Sequence, residues 1–410
     1  MAEKINYNLE ALRGFAAVTV VFYHLTSNYY FFNFNLFPFV IADIDPPGHF
    51  AVLIFFMLSG LVIGLNHQEK LSGKAAILYL KKRFVRIYPI YIAAILLTVA
   101  IAGSLHFKQT LYNTVMAQNI FSDALRQNMP LWSLNFEVLY YLFFIVISYF
   151  EINSIFLLTI AIAGGLVNSF YSGPSILSSY LFGYTFWVSG LIISRLPGRQ
   201  FKTKANILFA TLVFVFAVNS FVKDQHFLSH IAFVLFKRPF TYPPNPWYGR
   251  IAVTLDNLVY LPFCLGIVYI FSQKTVRYEK LLLGALHVLL LYFVGRFILL
   301  GIHNPFFIVG TCYYFISVLI YYVNWTGFSN YVIKILIWLG GISYSIYVVH
   351  FPLLFLFQKV QVSSLPGYWI KVLIYITTVI VLSWFLEAKF QVLVKKFFFK
   401  TNAKKTITRN

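Results

Sequence analysis

Residues 10–24 read EALRGFAAVTVVFYH, and they decide the architecture because they place a guanidinium and an imidazole inside an otherwise apolar run. On a helix, the separation of eleven residues from Arg13 to His24 returns to within about 20° of the same face, with a rise of about 16 Å between them. Holding an ionisable group at bilayer depth costs roughly 3 kcal/mol on insertion scales, so such a pair points to a polar site turned toward the protein interior. The alternative is an Arg anchored at the membrane surface and a His hydrogen-bonded within the packing.

The rest of the chain has the composition of a membrane bundle. Of its 410 residues 60% are hydrophobic and 20% aromatic, and its mean hydropathy of +0.76 lies far above that of a soluble globular domain. Apolar runs long enough to cross about 30 Å of hydrocarbon fall at about 9–29, 49–66, 86–105, 131–150, 153–171, 177–194, 205–222, 251–272, 281–302, 306–323, 335–357 and 368–388. The expectation is an all-α, polytopic integral membrane helix bundle of about 10–12 transmembrane helices. Residues 1–390 would form a single transmembrane domain, and 391–410 a basic cytoplasmic tail.

The formal charge of +20 sits mostly between the apolar runs, where it sets topology instead of binding nucleic acid. With the N-terminus inside, most Lys and Arg fall on the inner side, so both termini are expected in the cytoplasm of a cytoplasmic (inner) membrane protein. The start MAEKINYNLE lacks a short apolar segment followed by a small-residue cleavage site, so the first run is expected to remain as a span. Two cysteines, Cys264 and Cys312, supply neither a disulfide framework nor a metal-ligand cluster. The longest outer loops are 105–130 and 223–250. The second contains RPFTYPPNPWYGR (238–250), whose closely spaced prolines forbid a helix.

Four further stretches carry polar groups into apolar surroundings. In AVLIFFMLSGLVI (51–63), Ser59 and Gly60 interrupt large residues, permitting close approach of a thin ligand or of a neighbouring helix. In KKRFVRIYPIY (81–91), Arg83 and Arg86 are neighbours on one helical flank. Guanidinium forks match phosphate oxygens, although a cationic cluster there also suits topology alone. In PLWSLNFEVLYY (130–141), Ser133, Glu137 and Tyr140 or Tyr141 share a face, and the buried acid needs a partner. His24 is one candidate; a structural pairing with an Arg or Tyr is the other. In GISYSIYVVHFP (341–352), Ser343, Tyr347 and His350 lie on one side of a helix that Pro352 loosens, which suits a shared cavity lining.

LRGFAA with a His eleven residues after its Arg, FFMLSG, RFVRIYPIY, LWSLNFEVLYY and ISYSIYVVHFP occur in this order. Together they resemble the acyltransferase 3 family of bacterial membrane O-acyltransferases, over about residues 5–390. The resemblance implies a cytoplasmic acyl-CoA donor, often acetyl-CoA, as substrate and no permanently bound cofactor. The implied acceptor is a hydroxyl of a carbohydrate, glycolipid or other cell-envelope molecule. The family's essential Arg and His fall on Arg13 and His24, and its two-arginine motif on Arg83 and Arg86. Its Trp-Ser-Leu and acid positions fall on Trp132, Ser133 and Glu137, and its late Ser-Tyr and His on Ser343, Tyr344 and His350. Two positions depart from the pattern: Leu53 stands where an acid is often found, and Glu387 in LSWFLEAKF lacks the usual following Pro.

On this reading Arg13, Arg83 and Arg86 hold the donor phosphates with Ser59 and Gly60 nearby, and Trp132, Ser133, Tyr140, Ser343, Tyr344, Tyr347 and His350 line the cavity. His24 acts as general base or transient acyl carrier, and Glu137 orients it. Trp247 and Tyr248 could stack on a sugar. The competing class is a transporter or flippase of a lipid-linked saccharide, whose polar stripe would be a conduction path. Such proteins often show matching broken helices in two halves, and no such pairing is visible here.

Overall fold

The computed structural model describes residues 7–27, 46–103, 106–199, 202–223, 226–237, 251–300, 305–323 and 325–399. The 238–250 segment with Trp247 and Tyr248, and the last residues of the basic tail, lie outside them. Among the described residues the chain is all-α, built from sixteen α-helices, two 3-10 segments and one π turn. Eight helical segments among the described residues are long and apolar enough to cross a membrane, nine if one bent pair counts as a single span. This is an integral membrane protein.

The chain divides into two compact units, Met1–Gln68 with Ile152–Gly340, and Glu69–Glu151 with Gly341–Asn410. The first contains α1 (Tyr7–Ser27), α2 (Gly48–Asn66), α6 (Ser154–Ser172), α7 (Ile176–Ser194), α8 (Ala205–Val222), α9 (Phe227–Phe236), α10 (Leu261–Ser272), α11 (Glu279–Leu300), α12 (Pro305–Tyr322) and α13 (Thr326–Gly341). Caps are local: the Asn153 side chain accepts from Ile155 N at 2.8 Å, and Ser175 forms a capping box with Ser178 at the start of α7.

Close crossings in this unit are made by glycines. A Cβ on Gly60 would stand 1.9 Å from Trp187 O, and one on Gly190 1.9 Å from Met57 O, so α2 and α7 meet backbone to backbone. Gly14 of α1 and Gly340 of α13 do the same, each facing a carbonyl of the other helix at 2.0 Å. Polar clips complete the packing of α8 on α12: Ser317 Oγ donates to Ala210 O at 2.8 Å and Asn206 Nδ2 to Tyr321 O at 3.2 Å. Gly190→Ala is therefore expected to destabilise the protein by about 1–3 kcal/mol, as overpacking does, seen as a melting temperature lowered by several degrees in detergent.

The second unit holds α3 (Lys74–Ala102), α4 (Phe107–Thr114), a 3-10 segment Arg126–Leu131 leading into α5 (Trp132–Tyr149), α14 (Ser343–Gln358), α15 (Leu365–Phe385), the π turn Leu386–Phe390 and α16 (Gln391–Phe399). Gly103, with φ +67°, closes α3 in the left-handed region that favours glycine. Helix α15 shows how the apolar runs divide: Tyr368, Val372, Tyr375, Val379 and Ser383 are buried at intervals of three to four, whereas Leu373, Ile374, Val381 and Trp384 stay exposed on the side that lipid would cover.

Two boundaries differ from expectation. The run 335–357 is not one span: α13 pairs with α12 across a 113° bend, and the chain leaves the helix at Ile342 (φ −115°, ψ 9°) before α14 starts. The cause is the Gly340–Gly341 pair, which has little helical preference. The other difference is that the helix continues past residue 390: Gln391–Phe399 form α16, held by Gln391 Nε2 donating to Val85 O at 2.6 Å.

Candidate functional site

The polar groups singled out by the sequence are distributed over both units. In the first, Arg13 pairs with Glu10 one turn earlier at 3.0 Å, and both side chains are partly exposed. His24, half-buried near the C-terminal end of α1, meets the Tyr23 ring edge to face at 5.1 Å between centroids. Ser59 is half-buried. Gly60 is filled by α7, so its small size serves helix packing and leaves no room for a donor at its Cα, a correction to its place among the donor contacts.

In the second unit Arg83 and Arg86 lie on one flank of α3 but in different company. Arg86 Nη1 forms an ion pair with Glu387 Oε2, whose side chain is only 7% exposed. The π turn at Leu386–Phe390 presents that carboxylate to α3, as single π turns inside α-helices commonly do at functional sites. Gln391, one turn on, ties the backbone at Val85 beside it. The Tyr344 ring lies 5.7 Å from the Arg86 guanidinium carbon, and its hydroxyl donates to Ile87 O at 2.9 Å. Arg86 is thus fixed on three sides.

Among the described residues Arg83 is ion-paired with no carboxylate. Its guanidinium carbon lies 5.7 Å from the Tyr79 ring and 5.5 Å from the Tyr141 ring. Its Nε is buried with no acceptor among the described residues, and it makes no ion pair among them. The two rings are themselves held: Tyr141 Oη donates to Glu137, and Tyr79 Oη donates to Tyr141 O at 3.3 Å. A guanidinium stacked on aromatic faces with a buried Nε–H that lacks an acceptor has the chemistry to receive an oxyanion.

Within the second unit Glu137 has a Tyr partner. That partner is Tyr141 at i+4, one of the two tyrosines the sequence offered; Tyr140 is buried, 1% exposed, in an aromatic run with Phe136 and Trp132. Ser133 Oγ and Tyr347 Oη are 2.7 Å apart, and Tyr347 donates to Pro130 O at 2.7 Å. Asn128 Nδ2 adds bonds to Thr98 Oγ1 at 3.1 Å and Val348 O at 3.0 Å. Ser133 and Tyr347 therefore join α5 to α14 in a buried polar knot. Ser343 is buried at the start of α14. His350 is fully buried and its Nδ1–H donates to Tyr347 O at 2.7 Å, while Tyr375 Oη donates to the His350 carbonyl at 3.2 Å. This imidazole nitrogen serves its own helix, and Pro352 is accommodated inside α14.

Sequence reading undervalued Glu387, and it missed Tyr79 and Gln391. The signal for Glu387 was an isolated acid close to the end of a long apolar run. Its partner stands 301 residues earlier, beyond any local pattern.

Comparison with known proteins adds identity to this geometry. A family described as an acyltransferase domain matches residues 6–223, just over half of the chain. The acyltransferase MdmB of Streptomyces mycarofaciens is 29% identical over 150 residues, covering 33% of this chain and 38% of that protein. The match thus spans well under two thirds of that relative's length. No solved structure matches the chain.

Proposed function

The chain belongs to this acyltransferase domain family, and on that premise we propose that it is a membrane O-acyltransferase moving an acyl group, acetyl in the first instance, from acyl-CoA to a hydroxyl of a carbohydrate or other cell-envelope acceptor. The observation that carries this reading is the family match itself, because it spans Arg13, His24, Arg83, Arg86, Ser133 and Glu137 together. The geometry supports it in the second unit, where the Arg83 guanidinium lies ready for phosphate oxygens. In the proposed reaction His24 takes the proton of the acceptor hydroxyl as its oxygen attacks the thioester carbonyl carbon. The carbon–sulfur bond breaks, and the imidazolium returns the proton to the departing thiolate. Glu137, already engaged by Tyr141, is assigned to keep that ring against Arg83 instead of orienting an imidazole. The basic loops and tail favour a cytoplasmic membrane location with both termini inside and the donor supplied from the cytoplasm.

The test is release of free CoA from acetyl-CoA by the purified protein in detergent, with and without membrane saccharide as acceptor. Acceptor-dependent release is the expected result. Failure of both acetyl-CoA and longer or dicarboxylic acyl-CoAs to yield CoA, with no binding of any of them, would remove the proposal.

A further inference from the structure

The first unit contains a cavity of about 230 Å³ at the C-terminal ends of α1 and α8, between the starts of α2 and of the 3-10 segment Leu255–Tyr260. We propose that this cavity binds one sugar ring of the acceptor, presenting a hydroxyl beside His24. The inference rests on the acyl-transfer reading for the role of His24, and on the cavity alone for the ligand.

Its wall combines aromatic faces with neutral hydrogen-bonding groups. Tyr23 and Tyr260 supply rings, and His49, Asn219, Asn257 and Thr254 supply polar edges. A pyranose, with apolar ring faces and equatorial hydroxyls, needs this mixture. The polar groups are held in place by each other. Thr254 N donates to Asn257 Oδ1 at 2.7 Å, the Asn257 side chain hydrogen-bonds His49, and Tyr260 Oη donates to Asn219 Oδ1 at 3.4 Å. Tyr260 also packs on Phe50, ring centroids 4.7 Å apart. Tyr23 is fixed by Gly48, where a Cβ would fall 2.4–2.6 Å from the Tyr23 side chain. Such a wall is formed in advance and loses little order when a ligand enters.

Charge argues against a cationic ligand. The carboxylate in the wall, Asp256, is consumed by the first turn of α9: it accepts from Ser229 N at 2.8 Å and Ser229 Oγ at 2.6 Å, and His226 Nδ1 lies 3.3 Å away. Lys223, the C-cap residue of α8, adds a cation to the lining. Size argues for a single ring, because drug-sized ligands occupy cavities of roughly 300–1,000 Å³. Position connects the cavity to chemistry: Tyr23 lines it, and His24, the next residue and outside the lining, is in edge contact with the Tyr23 ring.

The experiment uses two substitutions at residues that are not among the proposed donor contacts. Val259→Trp fills the cavity and removes no polar group; Asn257→Ala removes a polar edge and fills nothing. Saturation-transfer NMR on the detergent-solubilised chain, with methyl β-glucoside and N-acetylglucosamine as probes, reads binding without any donor present. CoA release with the same saccharides reads transfer, and a melting curve reads folding. The expected result is saturation transfer to at least one probe from the wild type, reduced at least about fivefold in both variants. The KM for that saccharide should rise about tenfold while the KM for acyl-CoA is unchanged. If the folded Val259→Trp protein binds the probes as well as wild type, or wild type binds neither, the cavity is not the sugar site, whatever the CoA assay gives. If the probes bind and are lost in the variants but no donor yields CoA, the sugar site stands and the acyl-transfer reading falls.

Discussion

Replacing His24 with alanine is expected to lower kcat for acyl transfer by about two to four orders of magnitude, the usual contribution of a positioned general base. By transition-state arithmetic this is a loss of about 2.7–5.4 kcal/mol of barrier reduction. The fold should tolerate the change. Helix α1 is anchored where Gly14 crosses α13, about 15 Å along the axis from His24, and Leu9, Leu12, Phe15, Ala16 and Val20 carry its buried face. His24 is half-buried, so removing its ring leaves no sealed cavity. Acyl-CoA affinity, measured by equilibrium binding, should stay within about twofold of wild type because the substitution removes none of the proposed phosphate contacts. A His24→Gln protein, which keeps a hydrogen-bonding edge but cannot take up a proton near neutrality, should be as inactive as alanine. If glutamine restores activity, His24 positions the acceptor and does not accept its proton. If alanine costs only a few-fold, the base is another residue.

Much of the architecture could be read from local pattern. Runs of about twenty apolar residues became helices because a backbone in lipid must satisfy its own hydrogen bonds, and the neighbouring arginines of KKRFVRIYPIY do lie on one flank of α3. The pairing of Glu137 with Tyr141 was also within reach, since i and i+4 side chains meet on any helix. What could not be read depends on contacts between distant segments. Gly60 looks alike in sequence whether a ligand or the Trp187 carbonyl fills its empty side. His350 sits on a polar stripe, and the Tyr375 hydroxyl that donates to its carbonyl comes from the following helix. The two arginines carry the same charge and identical donors, and only the π turn, bringing Glu387 against one of them, makes them different.

That difference yields the second large effect. Arg83→Ala is expected to raise the KM for acyl-CoA by about 10–150-fold, the equivalent of about 1.5–3 kcal/mol for a hydrogen bond to a charged group. The effect should shrink to a few-fold when the donor is an acyl-pantetheine that lacks the nucleotide phosphates. Arg86→Ala should behave otherwise. It strands the nearly buried Glu387 carboxylate, so the folded protein loses stability, by less than a fully buried pair would because Arg86 remains partly exposed. The two roles separate in a double substitution. Replacing a buried ion pair by apolar side chains of similar volume is often neutral, so Arg86→Met combined with Glu387→Leu should regain most of the stability lost in Arg86→Ala. If Arg86 is a strut, the acyl-CoA KM of that double variant stays within about threefold of wild type and its preference for acyl-CoA over acyl-pantetheine is retained. If the KM rises as far as in Arg83→Ala, Arg86 must leave Glu387 to reach the donor, and the ion pair of the free enzyme is a latch that donor binding opens. Either way the two arginines are predicted to be non-equivalent in the free protein, because among the described residues one is ion-paired with a carboxylate and the other lies against tyrosine rings.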